Sequence, residues 1–246
     1  MIDTISYGEY LGGCYIILLC MGIHILFTPR NIKNLIFDLD GTLIDSSEGV
    51  VAAVNHALQM LGDSPRKPEE IKKYIGMSLE TMFRDFSKES YLEFHKYFQE
   101  FGIKVIADSA RPLDGVDETL KLLYHGGYKL GIGTQKERIH LEKIIQKLGW
   151  GEIIFAGAGA DDVKHGKPAP DIYLRVMELM KGGKENSLVI GDTVNDVLSA
   201  RAAGLPIVAV LSPFGDNSRL AAAQPDILIS NIRELPKTLG IRSEVS

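Results

Sequence analysis

Two short acidic clusters in the sequence have the spacing of a cation-dependent site. Asp38 and Asp40 stand in DLDGTLIDS directly after an apolar run, and Asp192 and Asp196 stand in GDTVNDVLSARAAG after another. If both runs are strands of one open α/β sheet, each pair lies at a carboxyl edge, where such folds bind ligands. Alternation puts Asp38 and Asp40 on one side of their strand. Carboxylates that close repel each other unless a cation or a shared proton lies between them, and Gly41 lets the backbone turn after them. Four carboxylates converging on one crevice need a cation, and hard oxygen donors select Mg²⁺ over zinc or copper. Each piece also has a plain structural explanation: an Asp-Gly turn after a buried strand, or a helix N-cap for Asp192 or Asp196. A calcium loop of the EF-hand type fails, because it needs Gly at its sixth position and Gly41 is fourth from Asp38.

Two more segments bear on anion binding. Thr134 in GIGTQK closes an apolar run, and its hydroxyl with neighbouring N–H groups at a helix start suits a phosphate oxygen; it also suits a simple helix cap. Lys167 in KHGKPAPDIY precedes a Pro-initiated helix, and its alternative is a solvated loop lysine. His165 beside it reads as a surface residue.

These residues need a scaffold, and the pattern from residue 35 onward supplies one. Short β-rich runs at 35–38, 128–133, 152–156, 188–191, 207–211 and 227–229 alternate with helical segments, which predicts an α/β, doubly wound, mainly parallel Rossmann-like sheet. Leu141, Ile144, Ile145 and Leu148 form one helical stripe; Ile172, Tyr173, Val176, Met177 and Met180 form another. Roughly ninety residues separate the first two runs, more than one crossover requires. That insert reads as helical. Asp45 and Glu48 form a capping-box pattern opening a helix with the face Val50, Val54, Ala57, Leu58 and Leu61, a second helix follows Pro68, Leu79, Met82, Phe83 and Phe86 mark a third, and 91–101 a fourth. The predicted organisation is an N-terminal hydrophobic extension over 1–32, an α/β core over 33–45 and 112–246, and a helical cap over 46–111.

Residues 11–27 carry no charged side chain and fall just short of the ~20 apolar residues of a membrane helix. Asp3 and Glu9 before them speak against a secretory signal. Three readings stand: an anchor, an extra packed element, or a true start at Met21. Membrane contact is expected only on the first, where Arg30 and Lys33 would keep the body cytoplasmic. Composition bounds the rest. The chain has 246 residues, 27 Lys plus Arg, 32 Asp plus Glu and 45% hydrophobic residues, so it builds a core without disulfides and offers no basic surface for nucleic acid. Both cysteines, Cys14 and Cys20, precede the α/β region, which suits a reducing, cytoplasmic setting.

In this order, DLDGT, GTQK, GKPAPD and GDTVND resemble the motifs of the haloacid dehalogenase superfamily of phosphotransferases with a helical cap, over roughly residues 33–232. The overall pattern is most similar to phosphoglycolate phosphatases. The resemblance implies Asp38 as nucleophile forming an aspartyl-phosphate and Asp40 as general acid, then base. It implies Thr134 and Lys167 as phosphoryl-binding, with Gln135 beside them. Asp192, supported by Asp196, would hold Mg²⁺ next to Asp38 and the backbone carbonyl of Asp40. Gln135 departs from the Asn, Ser or Lys of many relatives, which puts its own hydrogen-bonding role in doubt. A carboxylate attacking a phosphate dianion meets about 8 kcal/mol of repulsion at 4 Å with an effective dielectric of 20; a divalent cation returns about 16 and a lysine about 8. Asp40 must be protonated for part of the cycle, which asks that acidic neighbours outweigh positive charge at its side chain. The implied activity is a Mg²⁺-dependent phosphatase acting on a small phosphorylated metabolite, phosphoglycolate or a similar compound. A phosphosugar mutase of the β-phosphoglucomutase kind is the alternative; a metal-free dehalogenase is disfavoured by Asp40. Among cap residues, Lys72, Lys73, Arg84 and Lys88 would meet an anionic group of the substrate or lie on solvated helix faces, and Gly76 would let a cap loop approach the site.

Overall fold

The computed structural model describes residues 31–241 and three N-terminal strands, β1 (Glu9–Leu11), β2 (Cys14–Leu19) and β3 (Gly22–Ile25). These pair antiparallel in the order β1-β2-β3. The described part of 11–27 is therefore strand rather than membrane helix, in keeping with the extended preference of residues such as Tyr15, Ile16 and Ile17. Among the described residues no helix is long and apolar enough to cross a membrane. Met21 and Arg30 lie outside the described residues.

The body is built on β4 (Asn34–Phe37), β7 (Lys129–Gly133), β8 (Ile154–Ala158), β9 (Ser187–Gly191), β10 (Ile207–Val210) and β11 (Ile227–Ile229). They form one sheet in the order β11-β10-β9-β4-β7-β8, with every neighbouring pair parallel. All six expected strands are present. The third starts at Ile154, two residues late, because the Trp150 carbonyl accepts from both Ile153 N (2.9 Å) and Ile154 N (2.8 Å) and holds a turn there.

Burial on both faces follows from the parallel arrangement. Leu35 and Phe37 join one core layer with α5 (Val116–His125), α6 (Arg138–Leu148) and α10 (Leu235–Thr238). Ile36 joins the other, with α7 (Asp171–Leu179), α8 (Val194–Ala203) and α9 (Asn217–Ala222).

The ninety-residue interval holds a two-stranded antiparallel ribbon, β5 (Ile44–Asp45) against β6 (Arg111–Pro112), through which the chain leaves and re-enters the sheet region. Between them lie α1 (Ser47–Met60), α2 (Pro68–Lys72), α3 (Leu79–Phe86) and α4 (Tyr91–Ser109). The fourth helix runs eight residues past the expected 91–101 because Gly102, Ile106 and Ala107 continue its buried stripe. The expected Asp45–Glu48 capping box does not form. Asp45 Oδ1 accepts from Ser47 N at 2.8 Å, and the N-cap Ser46 gives its hydroxyl to Asp40 Oδ1 at 2.6 Å, so the site takes the group that would have capped the helix.

Two contacts orient this helical insert over the sheet edge. On α4, His95 pairs with Glu137 and Gln99 Nε2 donates to Glu137 Oε2 at 2.5 Å, at the start of α6. Near β5, α1 meets the end of α4 at Gly49: a Cβ there would lie 2.6 Å from Ile106 Cα and 2.6 Å from the Val105 carbonyl oxygen. Gly49 N also donates to Ser109 Oγ at 3.0 Å. Because the opposing atoms are helix backbone, Gly49→Ala is expected to lower stability by about 1–3 kcal/mol in urea denaturation, through overpacking that separates the two helices.

Candidate active site

The order of the sheet reverses between β4 and β9, which pair with Phe37 opposite Ile190 and end side by side. A crevice outside such a switch point is where open α/β sheets bind ligands. Asp38 leaves β4 with its N–H donating to the Ile190 carbonyl at 2.8 Å, and Asp192 follows directly on β9. Asp196 comes up from the first turn of α8. Carboxylate oxygens of Asp38, Asp192 and Asp196 lie within 4.8 Å of one another, and all three residues are buried.

Lys167 fills the gap between two of them. Its Nζ donates to Asp38 Oδ1 at 2.6 Å and to Asp196 Oδ1 at 2.7 Å, and its side chain is only 1% exposed, so it is no solvated loop lysine. Gln135 explains how the loop is held. Its Nε2 donates to the Lys167 carbonyl and its Oε1 accepts from Lys167 N, both at 3.1 Å. The amide is thus spent on positioning Lys167 rather than offered as a free donor.

Asp196 serves two functions at once. Its Oδ2 accepts from Thr193 N (2.9 Å) and Thr193 Oγ1 (2.6 Å), closing a capping box that starts α8. Its Oδ1 accepts from Lys167 and from the Tyr173 hydroxyl, the latter at 2.7 Å. Asp192 Oδ1 accepts from Thr42 Oγ1 at 2.7 Å. Gly41 sits at φ +86°, and a Cβ on it would collide with Asp192 Oδ2, so the turn after Asp40 needs glycine for both backbone and space.

The fourth carboxylate stands apart. Asp40 Oδ1 accepts from Ser46 Oγ at 2.6 Å, and Oδ2 lies 2.9 Å from Lys136 Nζ. Convergence of all four carboxylates is therefore corrected to three, with Asp40 drawn aside by a hydroxyl and an ammonium group. The neighbours at Asp40 are not predominantly acidic, as the sequence argument required. Thr134 is buried; its N–H donates to the Ala158 carbonyl at 3.0 Å and its Oγ1 accepts from Lys136 N at 3.2 Å. It does not cap α6, whose N-cap is Glu137. Asp38, Asp40, Thr134, Gln135 and Lys136 line a cavity of about 70 Å³ roofed by α1, α3, α4 and the loop from Tyr74 to Met77.

Desolvation dominates the electrostatics. Burial, opposed by Lys167 and reinforced by Asp196, raises the Asp38 carboxyl from 3.8 to about 7. Burial, with Asp38 and Asp196 adding to it, pushes Asp192 well above the usual range despite the hydrogen bonds from Thr42 and Ser212. Burial alone would raise Asp196, but Lys167 outweighs it and holds that carboxyl low. Burial likewise works against the charge on Lys167, and Asp196 and Asp38 reverse it, so the ammonium is retained. Three carboxylates around one ammonium leave two negative charges in excess. A hard divalent cation matches that charge and the all-oxygen donor set.

Comparisons with known proteins identify the family. The family model for haloacid dehalogenase-like hydrolases matches residues 35–210, from β4 through β10. The chain belongs to the haloacid dehalogenase-like hydrolases. Pyrophosphatase PpaX of Listeria innocua is 30% identical over 205 residues, covering 83% of this chain and 94% of that protein. PpaX of Bacillus cereus is 29% identical over 204 residues, with the same coverages. A haloacid dehalogenase-like family hydrolase from Streptococcus pneumoniae superposes with a TM-score of 0.76 at 25% identity, over 85% of this chain and 99% of that one.

For this haloacid dehalogenase-like hydrolase, sequence reasoning missed Thr42, Ser46, Lys136 and Tyr173. Thr42 and Lys136 stand inside the quoted DLDGT and GTQK runs, so position could have found them. Tyr173 was counted as one more apolar member of the α7 stripe; periodicity cannot separate a buried ring from its hydroxyl. Ser46 carried no signal beyond a helix-start residue. His165 is exposed, with Nδ1 3.2 Å from Asp171 Oδ2.

The raised carboxyls set a pH dependence for protein kept in chelator. Between pH 3.8 and about 7 unfolded Asp38 is ionised while folded Asp38 holds its proton, so folding binds protons and stability falls as pH rises through that window. One such group contributes a slope of up to about 1.4 kcal/mol per pH unit. Urea midpoints at pH 5 and pH 7.5 should show this fall, and Mg²⁺ should reverse it at the higher pH.

Proposed function

We propose that the chain is a Mg²⁺-dependent phosphatase that hydrolyses a small-molecule phosphate monoester through an aspartyl-phosphate on Asp38. The observation supporting this most directly is the pairing of Asp38, which lines the cavity, with buried Lys167 at 2.6 Å, beside two further buried carboxylates. In this reading Asp38, Asp192 and the backbone carbonyl of Asp40 hold the cation. It supplies the positive charge that lets an anionic carboxylate approach a phosphate dianion. Asp196 supports the site from behind by fixing Lys167.

The chain's own groups carry the two displacements. An oxygen of Asp38 bonds to phosphorus as the ester P–O bond breaks, and Asp40 gives its proton to the departing alkoxide. Lys167 and Thr134 hold the transferring oxygens. A water then gives its proton to Asp40 and its oxygen to phosphorus, the Asp38–phosphorus bond breaks, and inorganic phosphate leaves. Lys136 and Ser46 favour Asp40 as a carboxylate, so in this reading its proton is held only while the phosphate dianion is bound and its charge opposes that of Lys136.

We assign α1–α4, residues 46–111, as a cap domain over the core of 33–45 and 112–246, its roof excluding water during transfer. The proposed setting is the cytoplasm and the proposed partner a small phosphorylated metabolite. Because both relatives are named pyrophosphatases, inorganic pyrophosphate belongs in the test panel beside phosphoglycolate.

Asp38→Asn is expected to lower aryl phosphate turnover at least a thousandfold while raising stability at pH 7.5, since it removes one negative charge from the cluster. Full-length protein should label covalently with phosphate during turnover, and the variant should not. Turnover surviving in Asp38→Asn would refute the mechanism.

A further inference from the structure

The cavity above Asp38 is sharply divided by chemistry. Its floor carries all of its charged lining residues, Asp38, Asp40 and Lys136, together with Thr134 and Gln135. Its roof is Val50, Leu79, Met82 and Phe98, with Met77 at the rim. The only ionisable side chain there is Tyr74, whose hydroxyl donates to Asp85.

The cations of the insert are directed elsewhere. Lys73, Arg84 and Lys88 are exposed, and Arg84 pairs with Glu80 at 2.6 Å. Arg66 donates to the Phe86 carbonyl at 2.9 Å, Lys96 lies over the Tyr97 ring, and Lys72 does not line the cavity. The alternative in which Lys72, Lys73, Arg84 or Lys88 meets an anionic group of the substrate is therefore not what the described residues form. The floor's Lys136 is already matched to Asp40, and Lys167, buried and not lining the cavity, is matched to Asp38 and Asp196. A second anionic group extending from the phosphoryl toward the roof would lose water and meet no countercharge. The loop carrying Met77 is close over the floor: Gly76 sits at φ +84°, where a Cβ would be 3.0 Å from Thr193 Cγ2. At about 70 Å³ the space is well below the roughly 300 Å³ of an ordinary small-molecule pocket.

We infer that the group leaving with the ester oxygen is small, uncharged and largely apolar, so that the roof selects against pyrophosphate, bisphosphates and phosphoglycolate. The inference rests on phosphoryl transfer at Asp38. It sets this chain apart from what the names of its relatives suggest, through the residues of its own cap.

The test is competitive inhibition of aryl phosphate hydrolysis by the full chain in Mg²⁺, with n-propyl phosphate, phosphoglycolate and inorganic pyrophosphate as competitors. Inhibition reads binding whether or not the competitor is cleaved. The n-propyl ester is expected to have an inhibition constant at least tenfold below those of the other two. Met77→Lys, at an exposed rim position, and Leu79→Lys, at a half-buried one, should each improve phosphoglycolate binding relative to n-propyl phosphate by at least tenfold; the two together guard against one failing to fold. Pyrophosphate or phosphoglycolate binding more tightly than the propyl ester to the unaltered chain would overturn the inference and leave the phosphatase reading standing. Absence of aryl phosphate turnover, with no label on Asp38, would bring down both.

Discussion

The structure depends on a buried excess of negative charge. Asp38, Asp192 and Asp196 share one desolvated pocket with a single ammonium. Burying even one ion costs several kcal/mol, and two unbalanced charges could not persist without either protonation or a cation. Burial raises the carboxyls of Asp38 and Asp192, which is the direction that eases such an excess. The same excess charge, set on three buried carboxylates, is the donor set that a hard divalent ion would match.

That arrangement is possible because the sheet brings distant segments to one edge. Parallel pairing of β4 with β9 aligns two strand ends that lie about 150 residues apart in the chain, since Asn34 is opposite Ser187 and Phe37 opposite Ile190. The loop bearing Lys167 arrives from the far side of β4, beyond β7 and β8, and Gln135 at the end of β7 fastens it. A residue that departs from the usual family choice is thus used for tertiary assembly. Its two bonds define where the ammonium stands, which in turn fixes which carboxylates stay charged.

How much of this could be read beforehand depends on the kind of interaction. Strand positions were legible because parallel strands buried on both faces, such as Leu35–Phe37 and Leu188–Ile190, are short unbroken apolar runs. The four motifs placed Asp38, Thr134, Lys167 and Asp192 near one edge for the same reason. Side-chain direction was not legible. Asp40 shares a motif and a parity with Asp38, yet its carboxylate turns to Ser46 and Lys136, and only coordinates reveal a hydroxyl withdrawn from a helix cap. The N-terminal segment was left open for another reason: an uncharged apolar run of that length has no period that separates strand from membrane helix.

Asp196 shows why helix capping and site chemistry were poor alternatives to set against each other. A carboxylate has two oxygens, and here they are divided: one closes the capping box of α8, the other anchors Lys167 and Tyr173. Capping fixes the rotamer, so the second oxygen stands at a defined place without relying on the cation for orientation. Replacing Asp196 by Asn would leave one acceptor oxygen where two are used; turned toward Thr193 it would keep the cap but put an NH2 donor against Lys167 and Tyr173, and it would remove the charge that holds Lys167 protonated against burial. The helix would still start, while the ammonium that faces Asp38 would lose its strongest support. A residue explained by local secondary structure can thus be the one on which the electrostatic balance of the site turns.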